Sequence, residues 1–321
     1  MNTNRLNNLY QEHTFAASKW FESRRIIRQL KSFYYAFQRP LYSLLLSRTN
    51  FFKNIKQTYT IDRILLNDGG MFKEYVYGSC NRINQIRGSV IFVPGCGYGQ
   101  HLITLANFEP RLIVACDLYE YQEEWKFVQE VVNREGTEII FLKGDIDNPI
   151  IHDKAPFDWI ITDAVLEHVR DLPFFLRQCN SLLKKDGNFY ASFGPIWYGP
   201  GGDHLDWGLE GIFNHLLLDT NEYECNVNSL EEDANEDSTK GVFMCKNKQF
   251  SYLHANEYLD ILKRADFQID KLWMKSSSIA RNFFKCYPEK EAHVELRGST
   301  VFERYCSGMY LWATKKMSNS L

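Results

Sequence analysis

Between residues 89 and 193 the chain alternates short apolar runs with stretches of helical periodicity. The runs lie at 89–93, 111–116, 138–142, 157–162 and 188–193, and each is the length of a buried strand. The stretches 123–133 and 172–183 space their apolar residues three and four apart, the pattern of a helix with one buried face. Strands alternating with helices predict an α/β fold around a mostly parallel sheet. Beyond residue 193 the pattern loosens. Residues 194–202 are rich in glycine, proline and aromatics and read as a loop, and 209–218 reads as a short helix. The segment 219–237 holds many acids and neither lysine nor arginine, so a solvated loop is expected there. A helix at 254–265 leads into a sixth strand at 267–274, and a seventh is expected at 308–313 after an inserted segment, 275–307.

The first 87 residues lack a sheet signal and read as a helical extension or cap. Within it, 18–48 interleaves Lys19, Arg24, Arg25, Arg28, Lys31, Arg39 and Arg48 with Trp20, Phe21, Phe33, Tyr34, Tyr35, Phe37 and Tyr42. Two readings stand: a cap with a solvated basic face, or a peripheral contact with anionic lipid or a phosphorylated carrier. The expected organisation is therefore an extension over 1–87 and one catalytic domain over 88–321, with insertions near 195–250 and 276–306.

Composition changes this picture little. The net charge of -3 gives no global pull toward nucleic acid. No apolar run approaches the roughly 18 residues of a membrane span. The eight cysteines include no pair two to four residues apart, so no zinc pattern is present, and a reducing, cytoplasmic compartment is expected.

Candidate chemistry gathers at the predicted strand ends. The turn Val93-Pro94-Gly95-Cys96-Gly97-Tyr98-Gly99 follows the first strand and opens a helix. Its glycines allow a tight turn and a close backbone approach to a ligand, and helix-start amides favour an anionic group. Asp117 ends the second strand about twenty residues on, where a carboxylate meets a ribose diol in Rossmann-type folds. Asp145 and Ile146 follow the third strand, and Asp163 ends the fourth, ahead of Glu167-His168-Val169. Cys96 is read as packing within the turn. Tyr98 is read as shielding a bound ligand, and Tyr119 and Trp125 as flanking it or as packing.

In this order the segments resemble the class I, Rossmann-like S-adenosylmethionine-dependent methyltransferase family, specifically its small-molecule type with a Gly-Cys-Gly turn. The resemblance covers roughly residues 89–193 and the closing strands, and includes Leu182-Leu183-Lys184-Lys185-Asp186-Gly187 as the turn before the fifth strand. It implies a seven-stranded sheet with an antiparallel last strand, and S-adenosyl-L-methionine as methyl donor with S-adenosyl-L-homocysteine as product. It implies that Gly95, Cys96, Gly97 and Gly99 line the methionine end, that Asp117 and Leu118 meet the ribose side, that Asp145 and Ile146 frame the adenine, and that Asp163 lies beside the methionine portion. The family's acid two residues before the first glycine is replaced by Val93, so Asp163 or backbone carbonyls are the candidate acceptors for the cofactor amine.

The acceptor side is sought in Gly199-Pro200-Gly201-Gly202-Asp203-His204-Leu205-Asp206. His204 is the candidate base or substrate ligand, with Asp203 or Asp206 orienting its ring. His215 is read as a core histidine that could join it. His204 and His215 with Asp203 would be the set for a metal, but nothing in the spacing demands one, and none is expected. His168 is common in the family without a necessary catalytic duty. The expected activity is methylation of a hydroxyl, or an amine, on a small-molecule or glycan-type acceptor. A binding or scaffold protein that keeps the fold without catalysis is the alternative. The Asp163-Ala164-Val165-Leu166 sequence disfavours nucleic-acid amino methylation.

Overall fold

The structure is a computed structural model that describes residues 85–106, 108–134, 136–230 and 241–316, all within one compact unit, Gly69–Leu321. The expected extension over 1–87, including the basic and aromatic segment 18–48, lies outside the described residues except for its last three. No helix among the described residues is long and apolar enough to cross a membrane.

Seven strands form one sheet in the order β3-β2-β1-β4-β5-β7-β6. They are β1 (Val90–Pro94), β2 (Leu112–Asp117), β3 (Glu138–Lys143), β4 (Phe157–Asp163), β5 (Leu183–Phe193), β6 (Phe267–Ser276) and β7 (Cys306–Lys315). β7 runs antiparallel to both β5 and β6, and the other pairs are parallel. This is the α/β, seven-stranded Rossmann-like methyltransferase sheet that the resemblance implied. Every residue of β1 is buried, as is all of β2 but Asp117, because helices cover both faces of a parallel sheet and leave no solvated side.

The helices between strands are α1 (Gln100–Ala106), α2 (Gln122–Arg134), α3 (Pro149–Lys154) and α4 (Leu172–Leu182). In α2, Trp125, Val128 and Val132 are buried on one face, while Glu123 and Glu124 sit in the first turn, where the helix dipole favours acids. Asp171 caps α4 by accepting a hydrogen bond from Phe174 N at 2.9 Å, with Pro173 in the first turn. The core on this side joins Ile91, Val93, Ile113 and Trp159 of the sheet to Leu102, Leu105 and Val128 of the helices. It extends to Trp312 of β7, whose ring meets Trp159 edge-on with centroids 5.1 Å apart.

The turn expected at 182–187 is assigned to β5, which begins at Leu183. Phe157 pairs with Leu183 and Trp159 with Asn188, so extra residues of β5 bulge outward around the left-handed Asp186.

After β5 come α5 (Gly208–Gly211), α6 (Asn214–Leu217), α7 (Thr220–Ser229), α8 (Gly241–Lys246) and α9 (Ala255–Arg264), then β6. The helix expected over 209–218 is two single turns, separated where the fully buried Phe213 turns into the interior. The loop expected over 219–237 is corrected for its first half. Asp219 caps α7 through Glu222 N at 2.9 Å, and Val227 is buried. The rest, 231–237, falls outside the described residues. The second insertion carries α10 (Ser278–Cys286), α11 (Pro288–Leu296) and α12 (Val301–Arg304). Phe213 and Leu216 from the first insertion share a small core with Ala280, Phe283, Phe284 and Val294 from the second.

Candidate active site

Ligands of open α/β sheets bind beyond the carboxyl ends of the strands where the strand order reverses. Here that point lies between β1 and β4, and the two strand ends are in contact. A Cβ on Gly95, which has φ +69°, would stand 2.5 Å from Val165 Cγ2, just past β4. Gly95 is thus required by both backbone conformation and packing. A Cβ on Gly97 (φ +51°) would meet nothing within 4 Å, so this stretch of backbone faces open space.

The Gly97 peptide is held at both ends. Its N–H donates to Asp117 Oδ2 at 2.8 Å, and its carbonyl accepts from Trp125 Nε1 at 2.7 Å. Trp125 in turn stacks on Phe141, with centroids 5.1 Å apart. Asp117 Oδ1 accepts from Tyr119 N at 3.0 Å. Burial raises the Asp117 carboxyl above the usual carboxylate range, and these backbone N–H groups oppose the rise. Each oxygen retains a lone pair for a further donor. Burial pushes the Cys96 thiol well up, which makes it packing and not a nucleophile.

Leu118 follows Asp117 and is 60% exposed, an apolar side chain open to solvent over most of its surface. Asp145 is exposed and accepts from Ile146 N at 2.6 Å, whereas Ile146 is buried. Asp163 ends β4 and accepts a hydrogen bond from Ser192 of β5. Val93 is wholly buried inside β1. The open face at Gly97, the carboxylate at Asp117 and the apolar surface at Leu118 fit an adenosine-bearing cofactor.

A second cluster follows β4. The single 3₁₀ turn Leu166–His168 buries Glu167, whose Oε1 accepts from Gly194 N at 2.7 Å while Oε2 has no partner. His168 Nδ1 lies 2.9 Å from the Gln249 carbonyl, and Ser251 N donates to the Glu167 carbonyl at 2.8 Å. His204 packs against His168 with ring centroids 4.8 Å apart. Phe250 flanks both rings, at 5.5 Å from His168 and 5.4 Å from His204. Burial pushes Glu167 upward and lowers His204 to about 4, with neighbouring His168 adding to the latter.

The expected partners of His204 are corrected. Neither Asp203 nor Asp206 orients its ring: His204 Nε2 lies 3.0 Å from the Pro195 carbonyl. A carbonyl only accepts, so Nε2 carries the proton. Asp206 accepts from Gly208 N at the start of α5. Asp203 is fully buried and accepts from Trp207 Nε1 at 2.8 Å, Tyr223 Oη at 3.1 Å and Leu205 N at 3.2 Å. His215 sides with Asp203, its Nδ1 being 3.9 Å from Oδ1 and its Nε2 2.8 Å from the Trp197 carbonyl. Burial lowers His215. Asp203 and His215 therefore hold the first insertion together, and His204 faces Glu167 and His168.

Sequence reasoning passed over Glu167, Gln249, Phe250 and the role of Trp125 toward Gly97. Glu167 left one signal, an acid that directly follows the short apolar run Ala164-Val165-Leu166. Gln249 and Phe250 lie some eighty residues from His168 and left none.

Residues 93–191 match the model of the methyltransferase domain. A search of curated proteins gives no match. Among solved structures, the chain is similar to an S-adenosylmethionine-dependent methyltransferase from Mesorhizobium loti, at 16% identity over 71% of this chain and 92% of that one, with a TM-score of 0.42. It is also similar to magnesium protoporphyrin IX methyltransferase from Synechocystis PCC 6803 with bound SAH, at 18% identity over 80% of this chain and 82% of that one, with a TM-score of 0.41. The matched residues run from β1 into β5, and the sheet around them has the strand order that the resemblance implied.

Proposed function

We propose that this chain methylates a hydroxyl, or an amine, on a small-molecule or glycan-type acceptor. The observation that carries the reading is the meeting of two unlike clusters at the carboxyl edge of the sheet. One is the backbone cradle of Gly95, Gly97 and Asp117, and the other is the imidazole pair His168 and His204 beyond β4 and β5. S-adenosylmethionine supplies an electrophilic methyl group on sulfur.

The residues of the chain bind and align. Gly95, Cys96, Gly97 and Gly99 line the methionine end. Asp117 accepts the ribose hydroxyls with its remaining lone pairs. Leu118 offers its exposed face to the adenine, with Asp145 and Ile146 at its edge. Asp163 accepts from the cofactor amine in place of the acid that Val93 lacks. His204, neutral at pH 7, presents Nδ1 as base or ligand to the acceptor, while Asp203 and His215 position the loop that carries it. Holding two reactants in line is worth roughly 7–11 kcal/mol, so much of the rate rests on this alignment.

Isothermal titration with S-adenosylmethionine and S-adenosylhomocysteine tests the reading. Binding is expected, and Asp117→Ala should weaken it by about 100-fold, the loss of charge-assisted hydrogen bonds worth roughly 3 kcal/mol. No binding of either compound to the intact chain would move the non-catalytic scaffold reading, which the missing acid at Val93 favours, to the front.

A further inference from the structure

We propose that Glu167, His168 and His204 form a site for a divalent transition-metal ion, with an open position for an oxygen of the acceptor. One ligand-capable atom of each residue lies within 4.8 Å of the others. The hydrogen bonds around them decide what those atoms offer. His168 Nδ1 meets the Gln249 carbonyl at 2.9 Å, and His204 Nε2 meets the Pro195 carbonyl at 3.0 Å. A carbonyl can only accept, so each neutral ring spends its single N–H there. His168 Nε2 and His204 Nδ1 then carry lone pairs. Metal-binding histidines are commonly fixed this way, the far nitrogen donating to a backbone carbonyl and setting the tautomer.

Glu167 supplies the independent observation. Its side chain is 1% exposed, Oε1 accepts from Gly194 N at 2.7 Å, and Oε2 has no hydrogen-bond partner. An unsatisfied buried carboxylate oxygen is costly, and two imidazoles presenting lone pairs cannot relieve it. The three groups are acceptors with no donor among them, and a cation satisfies all three.

The loop that delivers His204 points the same way. His204 is held at φ +60°, a conformation uncommon for a residue with a Cβ, and its N–H is tied to the Gly201 carbonyl at 2.9 Å. The loop is packed closely around this turn, since a Cβ on Gly202 would stand 2.3 Å from the Trp197 carbonyl oxygen. Binding would draw the ligand atoms from within 4.8 Å of one another to the roughly 3.3 Å spacing of a tetrahedral ion with bonds near 2 Å. Two imidazoles and one carboxylate suit Zn²⁺, Co²⁺, Fe²⁺ or Mn²⁺ rather than Ca²⁺, and three protein ligands leave a position free. This set replaces the one considered from sequence: His204 contributes, but Asp203 and His215 are occupied with each other and with Trp197, Trp207 and Tyr223. With the ion bound, His204 Nδ1 holds the metal and serves the acceptor through it instead of as a base. That the free position takes the acceptor rests on the methyl-transfer reading.

The test is a titration of the chelator-treated full chain with CoCl₂, followed by visible absorption, and with ZnCl₂ by calorimetry. One equivalent of Co²⁺ with d–d bands, displaced by Zn²⁺, is expected. His168→Ala and His204→Ala should each weaken binding by at least about 100-fold, more than loss of an outer partner does. His293→Ala, on the exposed part of α11, should leave it unchanged. Glu167→Gln keeps an oxygen for Gly194 N, and is expected to weaken Co²⁺ binding with the circular dichroism spectrum intact. Acetohydroxamate, a small oxygen ligand, should shift the bands if a position is open. No stoichiometric Co²⁺, or binding that survives both histidine variants, overturns the site. Bands unmoved by acetohydroxamate overturn the open position. S-adenosylmethionine titrated without metal reports the cofactor reading separately, so the two fail independently.

Discussion

The cofactor side and the acceptor side of the site are built by different physics. The groups of the cofactor cradle sit at the ends of buried strands, and contacts between neighbouring strand ends place them: Gly95 against the Val165 side chain, and the Asp117 carboxylate on the Gly97 amide. The acceptor side joins Glu167 and His168, in the turn after β4, to His204 from the first insertion, whose helices share a core with those of the second, Phe213 and Leu216 with Phe283, Phe284 and Val294. There the geometry radiates from one buried carboxylate, Asp203, that gathers Trp207, Tyr223 and the Leu205 amide. The first side inherits its precision from the sheet, and the second depends on contacts that close only when distant segments meet.

The strongest way to break the first side is Gly95→Ala. The new methyl would stand 2.5 Å from Val165 Cγ2, at a φ of +69° that itself costs an L-residue about 1–2 kcal/mol. S-adenosylmethionine binding should become undetectable by calorimetry, and urea unfolding should show a loss of at least about 2 kcal/mol. Binding at the original affinity would mean that the contact between the ends of β1 and β4 does not shape the cradle.

The same contrast explains what could be read from the sequence. All seven strands stand where the apolar runs lie. β1, β2 and β4 are near-continuous apolar segments because both of their faces are buried, whereas the edge strand β6 is only partly buried and carries Gln268, Asp270 and Lys271. Gly95, Gly97 and Asp117 were legible because turn chemistry and strand ends are local. The acceptor side was legible only as residue types. His204 was picked out as a candidate, but its ring partner is the Pro195 carbonyl, which no side-chain pattern announces. α7 hid among acids, since Tyr223 and Val227 fix it through Asp203 and the interior. Gln249 reaches His168 across eighty-one positions.

Asp203→Ala asks whether the second side can fail alone. It strips three donors of a buried acceptor and should cost roughly 3–5 kcal/mol in chemical unfolding. The expected pattern is a destabilised chain that still binds S-adenosylmethionine within a few-fold of the parent affinity. A collapse of cofactor binding would show that the insertions brace the sheet edge, and the two sides would be one unit.

Acid titration separates the sides more gently. Burial lowers His101, on α1 beside the glycine turn, to about 4, and lowers His215 in the first insertion. Below an unfolded value near 6.5 the unfolded chain binds a proton that the folded chain refuses, so stability falls as pH drops from about 6.5 toward 4 and is flat above. Each group contributes a slope of up to about 1.4 kcal/mol per pH unit in that window. Urea midpoints measured between pH 4.5 and 7.5 should lose part of their slope in His101→Gln and another part in His215→Gln. If neither variant flattens the curve, these two rings do not control acid stability.

Trp125→Phe has the smallest expected effect and makes the finest distinction. Phenylalanine keeps an aromatic ring against Phe141 but removes the indole N–H that donates to the Gly97 carbonyl at 2.7 Å, together with part of the buried ring volume. The lost hydrogen bond, about 1 kcal/mol, corresponds to roughly a five-fold weakening of S-adenosylmethionine binding, and the smaller buried ring should lower the urea midpoint as well. Gly97 would then be held at its amide by Asp117 alone. An unchanged affinity would show that the strand ends and that one carboxylate suffice to hold the cradle. A loss well beyond ten-fold would show that a side chain on α2, rather than the backbone alone, sets the cradle, and the cofactor side would then depend on packing much as the acceptor side does.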